Sequence, residues 1–151
     1  MPEHPILICY DGSKGARRAI AAAARLLGPK EAVVLDVGPI LTPTESMTLA
    51  SSVVPGTAFE EMNEADALER AGEGARLANE AGLRAKARAT LAEPSWAGIV
   101  DVADELDAAV IVLGSRALPR FRELFEGDVS EDVAHHAGRP VLIVPPLRET
   151  R

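Results

Sequence analysis

Five short apolar runs punctuate this chain, and the stretches between them are long enough to hold helices. The runs are Ile6–Tyr10, Ala32–Val37, Leu83–Thr90, Ala108–Leu113 and Val141–Val144. Four of them are nearly continuous in apolar residues, the pattern of strands buried on both faces, as in a parallel sheet covered by helices. Between them, Lys14–Leu27, Ala58–Ala81, Pro94–Leu106 and Val129–Ala137 read as helices. Strands that alternate with helices give an α/β fold, a doubly wound five-stranded parallel sheet with helices on both faces, because each right-handed crossover lays its helix back on the sheet.

The punctuation agrees with that order. Asp11-Gly12-Ser13 makes a turn before the alanine-rich first helix, Gly28-Pro29 stops that helix, and Gly38-Pro39 ends the second strand. Leu83–Thr90 differs from the other runs, since apolar residues alternate with Arg84, Lys86 and Arg88. A period of two marks a strand with one wet face, expected at the sheet edge, where the basic row is either solvated or offered to an acidic partner. Residues 40–57, rich in Pro, Thr and Ser, read as a long loop of the kind that forms lids or binding segments. In Ala58–Ala81, Gly72 and Gly74 each cost about 1 kcal/mol relative to alanine, which calls for a kink or a close packing contact. Trp96 shares a helix face with Ile99, Val100, Ala103 and Leu106 and reads as a core or interface anchor.

Composition narrows the function. With 151 residues, 47% hydrophobic and 26% charged, the chain is expected to fold as one domain spanning 1–151. A net charge of -7 argues against a general binder of nucleic acid or anionic membrane, and 3% aromatic residues provide no stacking platform for single strands. No stretch reaches the roughly 18 to 20 apolar residues of a membrane span, and no signal peptide is visible, so a cytoplasmic protein is expected. Lone Cys9, in an apolar strand, fits a reducing compartment and reads as a small buried hydrophobe. His135 and His136 are adjacent, which is not the i, i+4 spacing of helical metal ligands, and no metal site is expected. Without a Ser-His-Asp arrangement or a lysine after a Walker-type glycine loop, no enzyme is expected either.

The stretch most suggestive of a ligand is Asp107–Ser130. An apolar strand ends at Gly114, Ser115-Arg116-Ala117 follows, and after nine further residues Gly127-Asp128-Val129-Ser130 opens a helix. Glycine at a strand end permits close backbone approach, and amides at a helix start suit a phosphate. Arg116, Arg120 and Arg122 in this segment, with Lys14 and Arg17 on the first helix, place positive charge there despite the acidic total. Asp128, followed three residues later by Glu131, also fits a capping box that starts the last helix.

The strand, Gly114, two residues, Ala117, nine residues, and Gly127-Asp128-Val129-Ser130, together with a first strand closed by Asp11-Gly12-Ser13, resemble the universal stress protein family. The resemblance implies an adenine-nucleotide alpha-hydrolase-like fold with strand order 3-2-1-4-5. It also implies a crevice between the first and fourth strands that takes ATP or AMP. By the same resemblance Asp11 approaches the nucleotide and the main chain at Val37 meets adenine. Gly114, Arg116, Ala117, Gly127, Asp128, Val129 and Ser130 form the phosphate end. Homodimers are implied to pair through the last strand, Val141–Val144. Two positions depart from the family pattern: Ala117 replaces a glycine, and Asp128 replaces a hydroxyl residue. A carboxylate about 4 Å from a phosphate costs roughly 1 to 4 kcal/mol per charge pair, so weak nucleotide binding is expected. Asp11 has a second role open to it, as a turn residue bonded to the backbone two positions on. The alternatives to a nucleotide-binding regulatory homodimer are a nucleotide-free interaction module and a slow ATPase.

Overall fold

The computed structural model describes residues 4–40, 56–115 and 129–146. In chain order the elements are β1 (Ile6–Cys9), α1 (Lys14–Leu27), β2 (Glu31–Gly38), α2 (Gly56–Glu80), β3 (Arg84–Leu91), α3 (Ser95–Leu106), β4 (Val110–Gly114), α4 (Val129–His136) and β5 (Val141–Val144). The strands form one sheet in the order β3-β2-β1-β4-β5, parallel throughout, as expected. β1 is central: Ile6 lies opposite Ala32 of β2 on one side and Val110 of β4 on the other.

Consecutive strand residues point to opposite faces, so β1 feeds two cores. Ile6, Ile8 and Tyr10 pack with Val34 and Val112 under α1 and α2, against Ala16, Ala19, Ile20 and Ala23 of α1 and Ala75 and Ala78 of α2. Leu7, with Leu35, Ile111 and Leu113, packs on the other face under α3 and α4, against Ile99, Val102, Ala103 and Val133. The small alanine side chains let both helices lie close to the strands. This explains why α1 and α2, though poor in large apolar residues, form one wall of the core.

Several boundaries shift for physical reasons. β2 extends to Gly38 because its ladder with β3 continues from Glu31↔Arg84 to Gly38↔Leu91 without a break. α2 begins at Gly56 and so takes two residues of the loop expected over 40–57, whose residues 41–55 lie outside the described part. The basic row of β3 is met largely by the chain's own carboxylates: Arg84 Nε lies 3.2 Å from Glu31 Oε1, and Arg88 pairs with Glu105. Among these basic residues only Lys86 keeps the solvated role, and exposed pairs of this kind add little stability. In α2, Gly74 has a packing cause. A Cβ there would stand 2.7 Å from Val34 Cγ1 and 2.8 Å from the Tyr10 ring, whereas nothing lies within 4 Å of one at Gly72. No helix among the described residues is long and apolar enough to cross a membrane.

Candidate functional site

The chain leaves β1 to build β2 on one side and returns to build β4 on the other. A crevice opens beyond the carboxyl ends of such a pair of strands, because the two connections depart in opposite directions. The turn after β1 is fixed by its own polar groups. Gly12 has φ +83, a left-handed conformation that favours glycine. Asp11 Oδ1 accepts a hydrogen bond from the Ser13 amide at 3.0 Å, and Ser13 Oγ in turn accepts from Ala16 N at 3.1 Å as the N-cap of α1. The turn role open to Asp11 is therefore realised, while its carboxylate remains on an exposed residue at the crevice.

Gly114 closes β4 at the same end of the sheet. A Cβ on it would lie 2.3 Å from the Gly15 carbonyl oxygen and 2.6 Å from the Gly15 carbonyl carbon. The backbone that approaches Gly114 so closely belongs to the first turn of α1. Ser115 N then donates to Val144 O at 3.0 Å, which carries the β4–β5 ladder one residue past the strand. Gly15, Gly114 and Ser115 thus bring the start of α1, the end of β4 and the end of β5 to one place. Val129 and Ser130 begin α4; Ser130 is buried, and Val129 packs against the core under α3 and α4. Arg116, Ala117, Gly127 and Asp128, and with them Arg120 and Arg122, lie outside the described residues.

The fold is matched by comparison with known proteins. The model of the universal stress protein family matches residues 3–145. The chain belongs to that family. Universal stress protein YxiE of Bacillus subtilis (strain 168) is 29% identical to it over 147 residues, covering 92% of this chain and 97% of the relative. Among solved structures, a universal stress protein from Archaeoglobus fulgidus is 26% identical with a TM-score of 0.67, covering 95% of each chain. A universal stress protein in complex with cAMP is 21% identical with a TM-score of 0.66, covering 93% of this chain and 96% of that one.

In this universal stress protein the positive charge expected from α1 is arranged differently from the sequence reading. Arg17 turns away from the end of β4 and reaches α2, its Nη2 3.3 Å from Glu73 Oε1. Val37 packs with the core under α3, 3.2 Å from where a Gly98 Cβ would stand, so its side chain is structural.

Beside Val37, sequence reasoning passed over Asp36. Its residue is 3% exposed, and Arg70 Nε of α2 donates to its Oδ2 at 2.7 Å. Burial holds the Asp36 carboxyl above the usual aspartate range even though Arg70 pulls it down, and the charge of Asp11 adds to the rise. The signal was available: a lone acid inside the apolar run Ala32–Val37 requires a partner. Cys9, the residue before Tyr10, has its thiol pushed up to about 12, first by burial and then by Asp11, as befits the inert role expected of it. His136 stacks on Trp96 with ring centroids 4.0 Å apart and its Nδ1 2.8 Å from Asp132 O. Trp96 thereby anchors α3 to α4.

Proposed function

We propose that this universal stress protein is a small regulatory protein that holds an adenine nucleotide, ATP or AMP, weakly in the crevice between the carboxyl ends of β1 and β4. The observation that carries the reading is the position of the Asp11 turn and of Gly114, which close the two strands flanking the switch point of the sheet. The relative solved with cAMP supports an adenine nucleotide as the ligand class. In this reading the Val37 main chain and Asp11 take the nucleoside end. Gly114, Arg116, Ala117, Gly127, Asp128, Val129 and Ser130 take the phosphates, with Ala117 and Asp128 reducing affinity through a methyl group and a like charge.

The chain acts by occupancy rather than turnover, as one cytoplasmic domain, and pairs with a second copy through β5. That strand is apolar, has a neighbour among the described residues only in β4, and leaves Ile143 36% exposed, a combination that invites edge pairing.

Titration calorimetry with ATP, AMP and cyclic AMP, with and without magnesium, tests the nucleotide. The double variant Asp128→Ser, Ala117→Gly is expected to bind ATP more tightly than the parent. No heat with any of the three nucleotides, in the parent and in the double variant alike, would refute nucleotide binding and leave an interaction module.

A further inference from the structure

β3 closes the sheet on one side, and its backbone groups alternate in direction. The amides of Arg84 and Ala92 donate to Lys30 O and Gly38 O at 3.0 and 3.2 Å, so the even-numbered residues between them turn toward β2 along an unbroken ladder. The N–H and C=O groups of Ala85, Ala87 and Ala89 therefore turn outward. Ala85 is already met there: its amide donates to Asn79 Oδ1 at 2.9 Å, and its carbonyl oxygen accepts from Asn79 Nδ2 at 3.1 Å. The side-chain amide of Asn79 thus stands where the peptide group of a further strand would. Ala87 and Ala89 meet no such group among the described residues.

The side of α2 that carries Asn79 overhangs this edge. Leu68, Gly72 and Ala75 share that side by helical periodicity, while Glu73, on the flank toward α1, reaches Arg17. Leu68 is 49% exposed, and nothing lies within 4 Å of a Cβ at Gly72. From Leu68 to Asn79 the helix rises about 16 Å, the length of about five strand residues. The other face of β3 bears the basic row, where Glu31 and Glu105 pair with Arg84 and Arg88 and the charge of Lys86 is left in excess. A second copy of β3, paired across a two-fold axis normal to the sheet, would lay one basic row beside the other, and like charges oppose that. The two faces suit instead an extended segment whose side chains alternate, apolar beneath Leu68 and Gly72 and acidic beside Lys86. We propose that the outer edge of β3, from Ala87 to Leu91, receives such a segment of a partner protein as a further strand of the sheet. This edge lies two strands from the crevice, so its use does not depend on a nucleotide.

The full chain is titrated with two capped hexapeptides, one alternating valine with glutamate and the other valine with lysine, and followed by peptide fluorescence polarisation and by amide hydrogen exchange. In the free chain the Ala87 and Ala89 amides are expected to exchange faster than that of Ala85, and only the glutamate peptide to slow them. Ala89→Pro removes an outward N–H without touching the ladder to β2 and should abolish binding. Leu68→Glu, at an exposed position, should leave the Tm unchanged and weaken the glutamate peptide about tenfold, the contribution of one apolar side chain. Lys86→Glu should weaken the same peptide and admit the lysine one. Should Ala89→Pro fail to fold, Leu68→Glu decides. Equal affinity for the two peptides, no slowing at Ala87 and Ala89, or a Leu68→Glu variant that binds as the parent does overturns the proposal. Protection of Ala87 and Ala89 that grows with protein concentration in the absence of peptide also overturns it, by assigning the edge to a second copy.

Discussion

Two glycines of α2, two positions apart, should respond to alanine with opposite signs. Each substitution contributes the same helix-propensity gain of about 1 kcal/mol, so that contribution cancels when the two variants are compared. What remains is the space around the new methyl group. At Gly72 nothing lies within 4 Å, and Gly72→Ala should stabilise the protein by about 1 kcal/mol. At Gly74 the methyl carbon would stand 2.7 Å from Val34 Cγ1 and 2.8 Å from Tyr10 Cγ and Cδ1. Neither can retreat: Val34 is 0% exposed and Tyr10 2%, both inside the core under α1 and α2. Overpacking costs roughly 1 to 3 kcal/mol, and two immobile neighbours closer than 3.0 Å place this site in the upper part of that range, about 2 to 3, which against the propensity gain leaves Gly74→Ala destabilised by about 1 to 2 kcal/mol. The two variants should therefore differ by about 2 to 3 kcal/mol, or about 5 to 10 °C in Tm for a chain of this length. Urea unfolding of both variants and the parent, with equal m-values as the check on two-state behaviour, measures it. Shifts of the same sign, or within 0.5 kcal/mol of one another, would show that α2 does not pack on Tyr10 through Gly74.

Two further outcomes follow from buried groups near the crevice. Because the Asp36 carboxyl is held above its ordinary range by burial, its contribution to stability is fully present below the unfolded pKa and is lost as pH rises through the folded one. Arg70→Met removes the group that lowers it, and should cost about 2 kcal/mol at pH 7, less than a fully buried pair because Arg70 is 41% exposed, with the loss shrinking as pH falls into the acid range. Urea titrations at pH 7 and pH 5 with equal losses would refute this. The Cys9 thiol, at about 12, leaves roughly one thiolate in ten thousand at pH 8, so a disulfide reagent should label it only after unfolding in guanidinium; rapid labelling of the native protein would contradict the burial.

The parallel sheet was legible because apolar runs separated by helix-length stretches leave few other folds, while its strand order came from the family resemblance carried by Asp11-Gly12-Ser13 and the glycine spacing. What escaped the sequence was the direction of side chains whose type is compatible with several neighbours. Arg17 was read beside the crevice, and only the fold sends it to Glu73, just as only the fold seats Gly15 on Gly114. The same contact changes what Gly114 means. A strand-end glycine read as room for a ligand is, at its Cβ position, filled by the first turn of α1, so its glycine character is required even in a protein that holds nothing. Asp36 lay within reach of sequence reasoning, since an acid between Leu35 and Val37 needs a cation, but its partner Arg70 is 34 residues away and α2 offers a second base, Arg76. Here, then, a glycine in the nucleotide signature is weak evidence for nucleotide, because packing alone would keep it.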